Sequence, residues 1–431
     1  MLNGSDDQQA AERLSALEDA AGSFAESWHL LRTRRFGTFS VASFLSNLGT
    51  WTQQVAEPWL LLSLGASSFL IGLDSFAMAA PAWILTLFGG ILADRSDRRR
   101  VIATCQSIQM LCPALLVALL LSDAVQPWMV ILLSILVGVT DALSMPSFQT
   151  IVPSIVERDQ IPGALALNAT QFNLSRIIGP AIAGIVMAGV GAVGCFALNA
   201  VSYLPFIWVA LWVLPRGDPV PAGESHSRRL FAGIAEIVRM PHLRGALLTV
   251  LVSSTLCGPL IVFCPVLVKN VLHGDVKDFS LSIGAFGMGG LIGAIALLGI
   301  DARRDRRRIS SWFARGYGLL VIAVALCPWF WGLPALLALA GLVMTVSNTS
   351  ANSLLQASAV PDLRGETISL YMLALRGGVS IGSLITGLTV SLLGARQALL
   401  INGLIAVLAQ FAVAREWLRY SMPAPGSGVA G

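Results

Sequence analysis

The sequence predicts an all-α membrane protein: twelve transmembrane helices in two pseudo-symmetric six-helix bundles. Three observations predict it. First, 55% of the 431 residues are hydrophobic and only 12% charged, with a mean hydropathy of +0.75; a soluble globular chain carries about twice that charge. Second, apolar stretches of the ~20 residues needed to span a bilayer recur twelve times. Third, Asp97-Arg98-Arg99-Arg100 returns as Asp305-Arg306-Arg307-Arg308, 208 residues later, and Val152-Pro153 returns as Val360-Pro361 at the same spacing. An echo at nearly half the chain length is what a duplicated six-span unit leaves behind. A closed β-barrel would instead show short segments of period-two alternation, and the chain has none.

The elements follow in order. Residues 1–35 are polar, with acids from Asp6 to Glu26 and no cleavable signal peptide, and read as an N-terminal tail. Trp28 to Arg35 forms an interfacial lead-in. The first bundle, 36–214, takes spans at 38–63, 69–92, 99–122, 127–149, 162–189 and 192–214; several hold Pro or Gly, which membrane helices tolerate. Residues 215–244, with Pro219, Pro221, Gly223 and five arginines, read as a linker. The second bundle, 245–420, takes spans at 245–271, 279–300, 310–331, 334–357, 365–393 and 396–418, and 421–431 is the C-terminal tail.

Charge placement sets the orientation. Of 28 Lys and Arg residues, 22 fall in the tails or the even-numbered connections or at the span ends beside them, and only Lys269, Lys277 and Arg396 in or beside the odd-numbered ones. The positive-inside rule then places both termini in the cytoplasm of a cell inner-membrane protein, which requires an even number of spans. The same distribution excludes a nucleic-acid partner despite the net charge of +4. The six cysteines sit in or beside apolar spans without a CxxC pair, and the four histidines are scattered, so no metal site is expected. With no Walker-type phosphate loop and no catalytic triad pattern, neither ATP hydrolysis nor other enzyme chemistry is expected.

Gly89-Gly90-Ile91-Leu92-Ala93-Asp94-Arg95-Ser96-Asp97-Arg98-Arg99 resembles the signature that joins the second and third spans of the major facilitator superfamily. The runs Val152 to Pro162, Ala166-Leu167-Asn168 and Asn173 to Gly184 narrow the resemblance to the transmembrane secretion effector branch, which is similar to enterobactin exporters and macrolide-type drug antiporters. The resemblance covers about residues 36–420. It implies the major facilitator fold and a cytoplasmic latch formed by Gly90, Asp94, Arg95, Asp97 and Arg98. It also implies an antiporter-like motif at Gly179, Pro180 and Gly184. The second copy of the latch is degraded, since Ala302 and Leu298 stand where Asp94 and Gly90 do in the first.

The remaining candidates come from polar residues inside apolar spans, which are costly there and mark pathways. In the first span, Ser43, Asn47, Thr50, Gln54 and Glu57 recur at steps of four and three and fall within a stripe of roughly 80°. That stripe is expected to line a water-filled cavity, with Glu57 as a proton site. Asp141 is a second proton-coupling candidate and is expected to pair with Arg176 on the next span. Asn168, Gln171, Arg176, Asn348, Asn352 and Arg376 are expected to line the substrate cavity, with one arginine holding an anionic group or serving as counter-ion to Glu57 or Asp141. Asp74 reads as interfacial. Together these predict a monomeric secondary exporter in contact with membrane lipids, driven by a proton gradient rather than a bound cofactor. Its substrate would be an amphipathic small molecule such as a siderophore, drug or secondary metabolite. An uptake symporter, a lysolipid flippase and a non-transporting sensor are the alternatives.

Overall fold

The computed structural model describes residues 29–215, 239–298, 305–358 and 364–419, and among them all regular structure is helical. The first half comprises α1 (Arg34–Ser63), α2 (Ser68–Arg95), α3 (Arg98–Leu121), α4 (Pro127–Ser154), α5 (Ile161–Val190) and α6 (Ala192–Trp212). In the second half, α7 starts at Pro241–Val252 and continues through a π turn at Ser253–Cys257 and two short helical pieces to a second π turn at Leu267–Val271. It is followed by α8 (Val276–Leu298), α9 (Arg306–Leu326) and α10 (Gly332–Ser358). Next comes α11 (Arg364–Met372, a π turn at Leu373–Gly377, then Gly378–Leu393), and α12 (Ala395–Trp417) ends the described chain. Ten of these, α3 to α12, are long and apolar enough to cross a membrane. Polar residues dilute α1 below that level, while α2, 28 residues long, completes the twelve. Most of the expected linker and both tails lie outside the described residues.

Local chemistry places the helix ends. Ser67 caps α2 by accepting the Leu70 amide, and Pro127 and Pro241 open α4 and α7, where a missing N–H costs nothing. Gly191 and Gly394 sit at φ +77° and +87°, turning the chain between α5 and α6 and between α11 and α12; a side chain there is strained. Asp97 and Asp305 are N-caps, each accepting the amide two residues on at 3.2 and 3.0 Å. Each also binds that residue's guanidinium, Arg99 at 3.0 Å and Arg307 at 3.1 Å. The repeated Asp-Arg-Arg-Arg run is therefore a repeated helix start, and α9 begins at Arg306, earlier than its hydropathy suggests, because Asp305 caps it. Burial raises the Asp305 carboxyl, but the hydrogen bonds and charge of Arg307 outweigh it and hold the group below its ordinary value. That contribution is complete at neutral pH and fades as acidification protonates the folded carboxylate. Asp97→Ala and Asp305→Ala are each expected to cost about 0.5–2 kcal/mol, read as a lower unfolding temperature of the solubilised protein.

The duplication is also visible in packing. Within the halves α2 packs on α4 as α8 packs on α10, and α3 on α6 as α9 on α12. Gly138 of α4 lies against the Met78 carbonyl of α2, and Gly341 of α10 against the Phe286 carbonyl of α8. Between the halves, α2 meets α11 and α5 meets α8.

The two ends of the bundle differ. One end carries the basic helix starts at Arg98 and Arg306; the other carries the tight turns at Gly65, Gly191 and Gly394. At the turn end one apolar cluster joins the halves, from Leu61, Ile71 and Phe196 to Phe263, Phe279 and Leu399. At the basic end the described residues form two separate clusters: Phe36, Ile102 and Phe206 in the first half, and Leu243, Tyr371 and Trp417 in the second. Among the described residues, an apolar cluster spans the halves at the turn end and none does at the basic end.

Candidate functional site

Helix α4 places Asp141, and the π turn of α11 places Arg376, at the boundary between the halves. The Arg376 Nη1 donates to Asp141 Oδ2 at 2.9 Å, and both side chains stay partly exposed, at 35% and 45%. Single π turns recur at functional sites, and this one aims the guanidinium across the interface. The guanidinium lies 5.4 Å from the centre of the Phe172 ring on α5, and Trp51 of α1 meets Phe172 edge-on at 6.0 Å. Trp83 of α2 stands beside Gly377. An ion pair flanked by aromatic faces is thus held between the two halves.

The expected Asp141–Arg176 pair does not form; Asp141 reaches across to the second half instead. Arg176, one turn beyond Phe172, is 9% exposed, and its Nε is buried without a hydrogen-bond partner. Adjacency in sequence suggested Arg176, but it is the Arg376 side chain of the other half that reaches Asp141. On α10, Asn348 and Asn352 are 3% and 8% exposed, and Asn352 accepts from Gln356 at 3.1 Å. Nearby, the buried Thr345 hydroxyl has no hydrogen-bond partner.

Of the α1 stripe, Thr50, Gln54 and Glu57 line a crevice within the first half, while Ser43 and Asn47 are spent on hydrogen bonds. Asn47 donates to Ser43 at 3.4 Å, and Gln171 donates both to Ser43 and to Asn168 at 2.9 Å, which ties α1 to α5. Gln54 points at the Met78 sulfur of α2, at 3.8 Å. Thr50 meets Tyr203 of α6 at 3.1 Å, and Glu57 accepts from Ser134 of α4 at 2.9 Å. The antiporter-like motif divides its partners. Gly179 lies against Trp51 within the first half, whereas Gly184 faces the Ser280 carbonyl and Gly284 of α8 in the second; Pro180 lies between them within α5.

Of the latch residues, Gly90, Asp94 and Arg95 lie on α2 with side-chain surroundings outside the described set. Their neighbour Gly89 lets α2 approach Ala142 and Leu143 of α4 closely, its position for a Cβ being 2.6 Å from the Ala142 carbonyl. Asp97 acts as the cap of α3, and Arg99 reaches the Leu211 carbonyl at the end of α6 at 3.1 Å.

Sequence reasoning missed Asp74. It is 6% exposed, as buried as Glu57, and one of its oxygens has no hydrogen-bond partner. A signal was available: Glu57 lies eight residues before Gly65 and Asp74 nine after it. Two antiparallel helices joined by a tight turn there must hold these acids at the same depth. Around Glu57 runs a small crevice lined by Gln53, Gln109, Ser134, Asn199 and Tyr203 together with apolar side chains such as Met78, Leu116 and Leu133.

The profile of the family described as transmembrane secretion effectors matches residues 25–424. The chain belongs to the transmembrane secretion effector family. Curated relatives of this effector are transporters. The staphyloferrin A transporter of Staphylococcus aureus is 24% identical over 86% of this chain and 93% of its own. The multidrug efflux pump Tap of Mycolicibacterium fortuitum is 25% identical over 85% and 93%, and the macrolide efflux protein A of Streptococcus pyogenes 21% over 86% and 93%. The nucleoside transporter NupG has the same fold, with a TM-score of 0.67 at 15% identity over 90% of this chain and 100% of its own. So does a bacterial homologue of the lysosomal transporter Spinster, solved in an inward-facing and unoccupied conformation, with a TM-score of 0.63 at 16% identity over 91% and 99%. The effector is a multi-span membrane transporter of the major facilitator type.

Proposed function

We propose that this transporter is a secondary active exporter that moves an amphipathic small molecule out of the cytoplasm by antiport against protons. The observation that carries the reading is the Asp141–Arg376 ion pair between the two halves, at 2.9 Å and partly open to water. Alternating access requires the halves to rock, and this pair opposes a change in their separation. A proton on Asp141, or an acidic substrate group on Arg376, removes the attraction and so ties chemistry to motion. The aromatic faces of Trp51 and Phe172 offer an apolar surface, and the buried amides of α10 offer polar contacts, which together suit an amphipathic ligand. The proton gradient supplies the energy, and no bound cofactor or metal takes part.

The positive-inside distribution supports an inner-membrane location with both termini cytoplasmic, so the basic end faces the cytoplasm. The repeat of six helices within one chain supports a monomer surrounded by lipid. The efflux relatives support the outward direction. Transport assays in inside-out vesicles with an imposed proton gradient, across a panel of siderophores and macrolides, test the reading. Accumulation is expected to collapse when an ionophore removes the gradient. Accumulation indifferent to the ionophore would sink proton antiport, and accumulation only in right-side-out vesicles would make the protein an uptake system.

A further inference from the structure

We propose that Arg315 of α9 is the binding site for the phosphate of an anionic phospholipid, seated between α9 and α12 in the leaflet at the basic end. The site lies on an exposed face of the second half and is independent of the transport reading above.

Arg315 follows Arg306, the first residue of α9, by nine positions and lies inside an apolar span, where an unpaired charge is costly. Its guanidinium lies 4.3 Å from the ring centre of Trp312, on its own helix, and 4.9 Å from that of Phe411 on α12. Its Nε donates to the Ser311 carbonyl at 3.1 Å. Among the described residues Arg315 has no other hydrogen bond, and none of their ion pairs includes it. Arg376 and Arg244, by contrast, each meet a carboxylate, Asp141 and Glu416. The two rings lessen the cost of the charge without cancelling it. A guanidinium has five N–H groups, so four remain here for an acceptor that the described residues do not supply.

The surroundings say where that acceptor comes from. One turn further from the basic end α9 and α12 touch, Gly318 lying against Val407 and Gly403 against Ile322. Trp312 and Phe411 are each more than half exposed, and so are Leu319 and Leu408 beside them, which makes this face a surface for acyl chains. Side chains lean toward the start of their helix, and the Ser311 bond holds the guanidinium one turn that way. From roughly 14 Å along α9 the charge therefore reaches back toward the headgroups at the basic end. A lipid phosphate is the acceptor in that direction, and its oxygens match the guanidinium fork. The head is anionic overall rather than zwitterionic. Arg306, Arg307 and Arg308 with the exposed Arg415 outnumber Asp305 and Glu416 there, and they would repel a lipid ammonium.

Native mass spectrometry of the purified full-length protein, titrated with phosphatidylglycerol or with phosphatidylcholine of the same acyl chains, tests the site. The wild type is expected to bind its first phosphatidylglycerol more tightly than phosphatidylcholine. Arg315→Gln should weaken that first phosphatidylglycerol at least ~10-fold, through loss of one charge-assisted pair, and leave phosphatidylcholine unchanged. Arg100→Gln removes an exposed arginine from the matching helix start of the first half and should leave the preference intact. No preference in the wild type, equal affinities in wild type and Arg315→Gln, or an equal loss in Arg100→Gln overturns the site. Glycerol 1-phosphate, a headgroup without acyl chains, should not compete; effective competition would make the occupant a soluble phosphate and overturn a lipid site. If Arg315→Gln does not fold, Trp312→Leu combined with Phe411→Leu keeps the charge and removes both rings. That variant should loosen the same lipid by ~3-fold or more, and an unchanged affinity overturns the proposal.

Discussion

Asp141→Asn is expected to weaken the clamp between the halves and uncouple transport from the proton gradient. Its partner Arg376 is about one-third exposed, so the pair contributes on the scale of a partly screened bridge, about 1 kcal/mol, rather than of a sealed one. That alone shifts a two-state equilibrium ~5-fold. The effect on coupling is larger, because an amide cannot release a proton: gradient-driven accumulation should fall at least ~10-fold while downhill movement persists. Arg376→Gln removes the same bridge from the other side, so the double variant should be no worse in conformational equilibrium than either single one. Cysteine accessibility at the two membrane faces, together with vesicle transport, reads both effects. Full additivity, or wild-type coupling in Asp141→Asn, would remove the pair from the mechanism.

Gly184→Val should act through shape alone. A Cβ at this position falls 2.5 Å from the Ser280 carbonyl and 3.0 Å from Gly284 across the inter-half boundary. Backbone atoms cannot yield as a flexible side chain can, so α5 and α8 must separate at the turn end. Overpacking of this kind costs about 1–3 kcal/mol, a roughly 5- to 150-fold shift away from the sealed arrangement. Labelling at the turn end should rise and that at the basic end fall, with transport lost in either direction. A similar clash introduced inside the first half at Gly138, where a Cβ meets the Met78 carbonyl, should instead lower thermal stability without favouring either face. Equal labelling patterns in the two variants would show that the α5–α8 contact is ordinary packing.

The twelve helices, their order and the duplication were legible in the sequence because each depends on local pattern. Twenty-odd apolar residues form a helix in lipid whatever their neighbours, and Asp97 and Asp305 start helices through a hydrogen bond to their own chain. The site was legible only in part. Glu57, Asp141, Arg176 and Arg376 stood out because charge inside an apolar span is conspicuous. Their partners were legible only as alternatives, with Arg176 or Arg376 as counter-ion to Glu57 or Asp141, since a partner is chosen by which helices lie side by side. Asp141 meets α11 of the other half, and the α1 stripe bonds within the first half to α2, α4, α5 and α6. Asp74 was hidden by its place near a helix end, which suggested the interface until the turn at Gly65 put it level with Glu57.

By itself the sequence determined what each span is: its length, its polar positions, the capped starts and the glycines whose missing side chains let helices touch. The tertiary structure alone decided which charge meets which. Among the described residues it also placed an apolar cluster across the halves at the turn end. The physical reason is range. Hydrophobic length, capping and backbone turns act within a few residues, whereas ion pairs and inter-half packing join residues up to 235 positions apart, as Asp141 and Arg376 are, and no local pattern encodes that meeting.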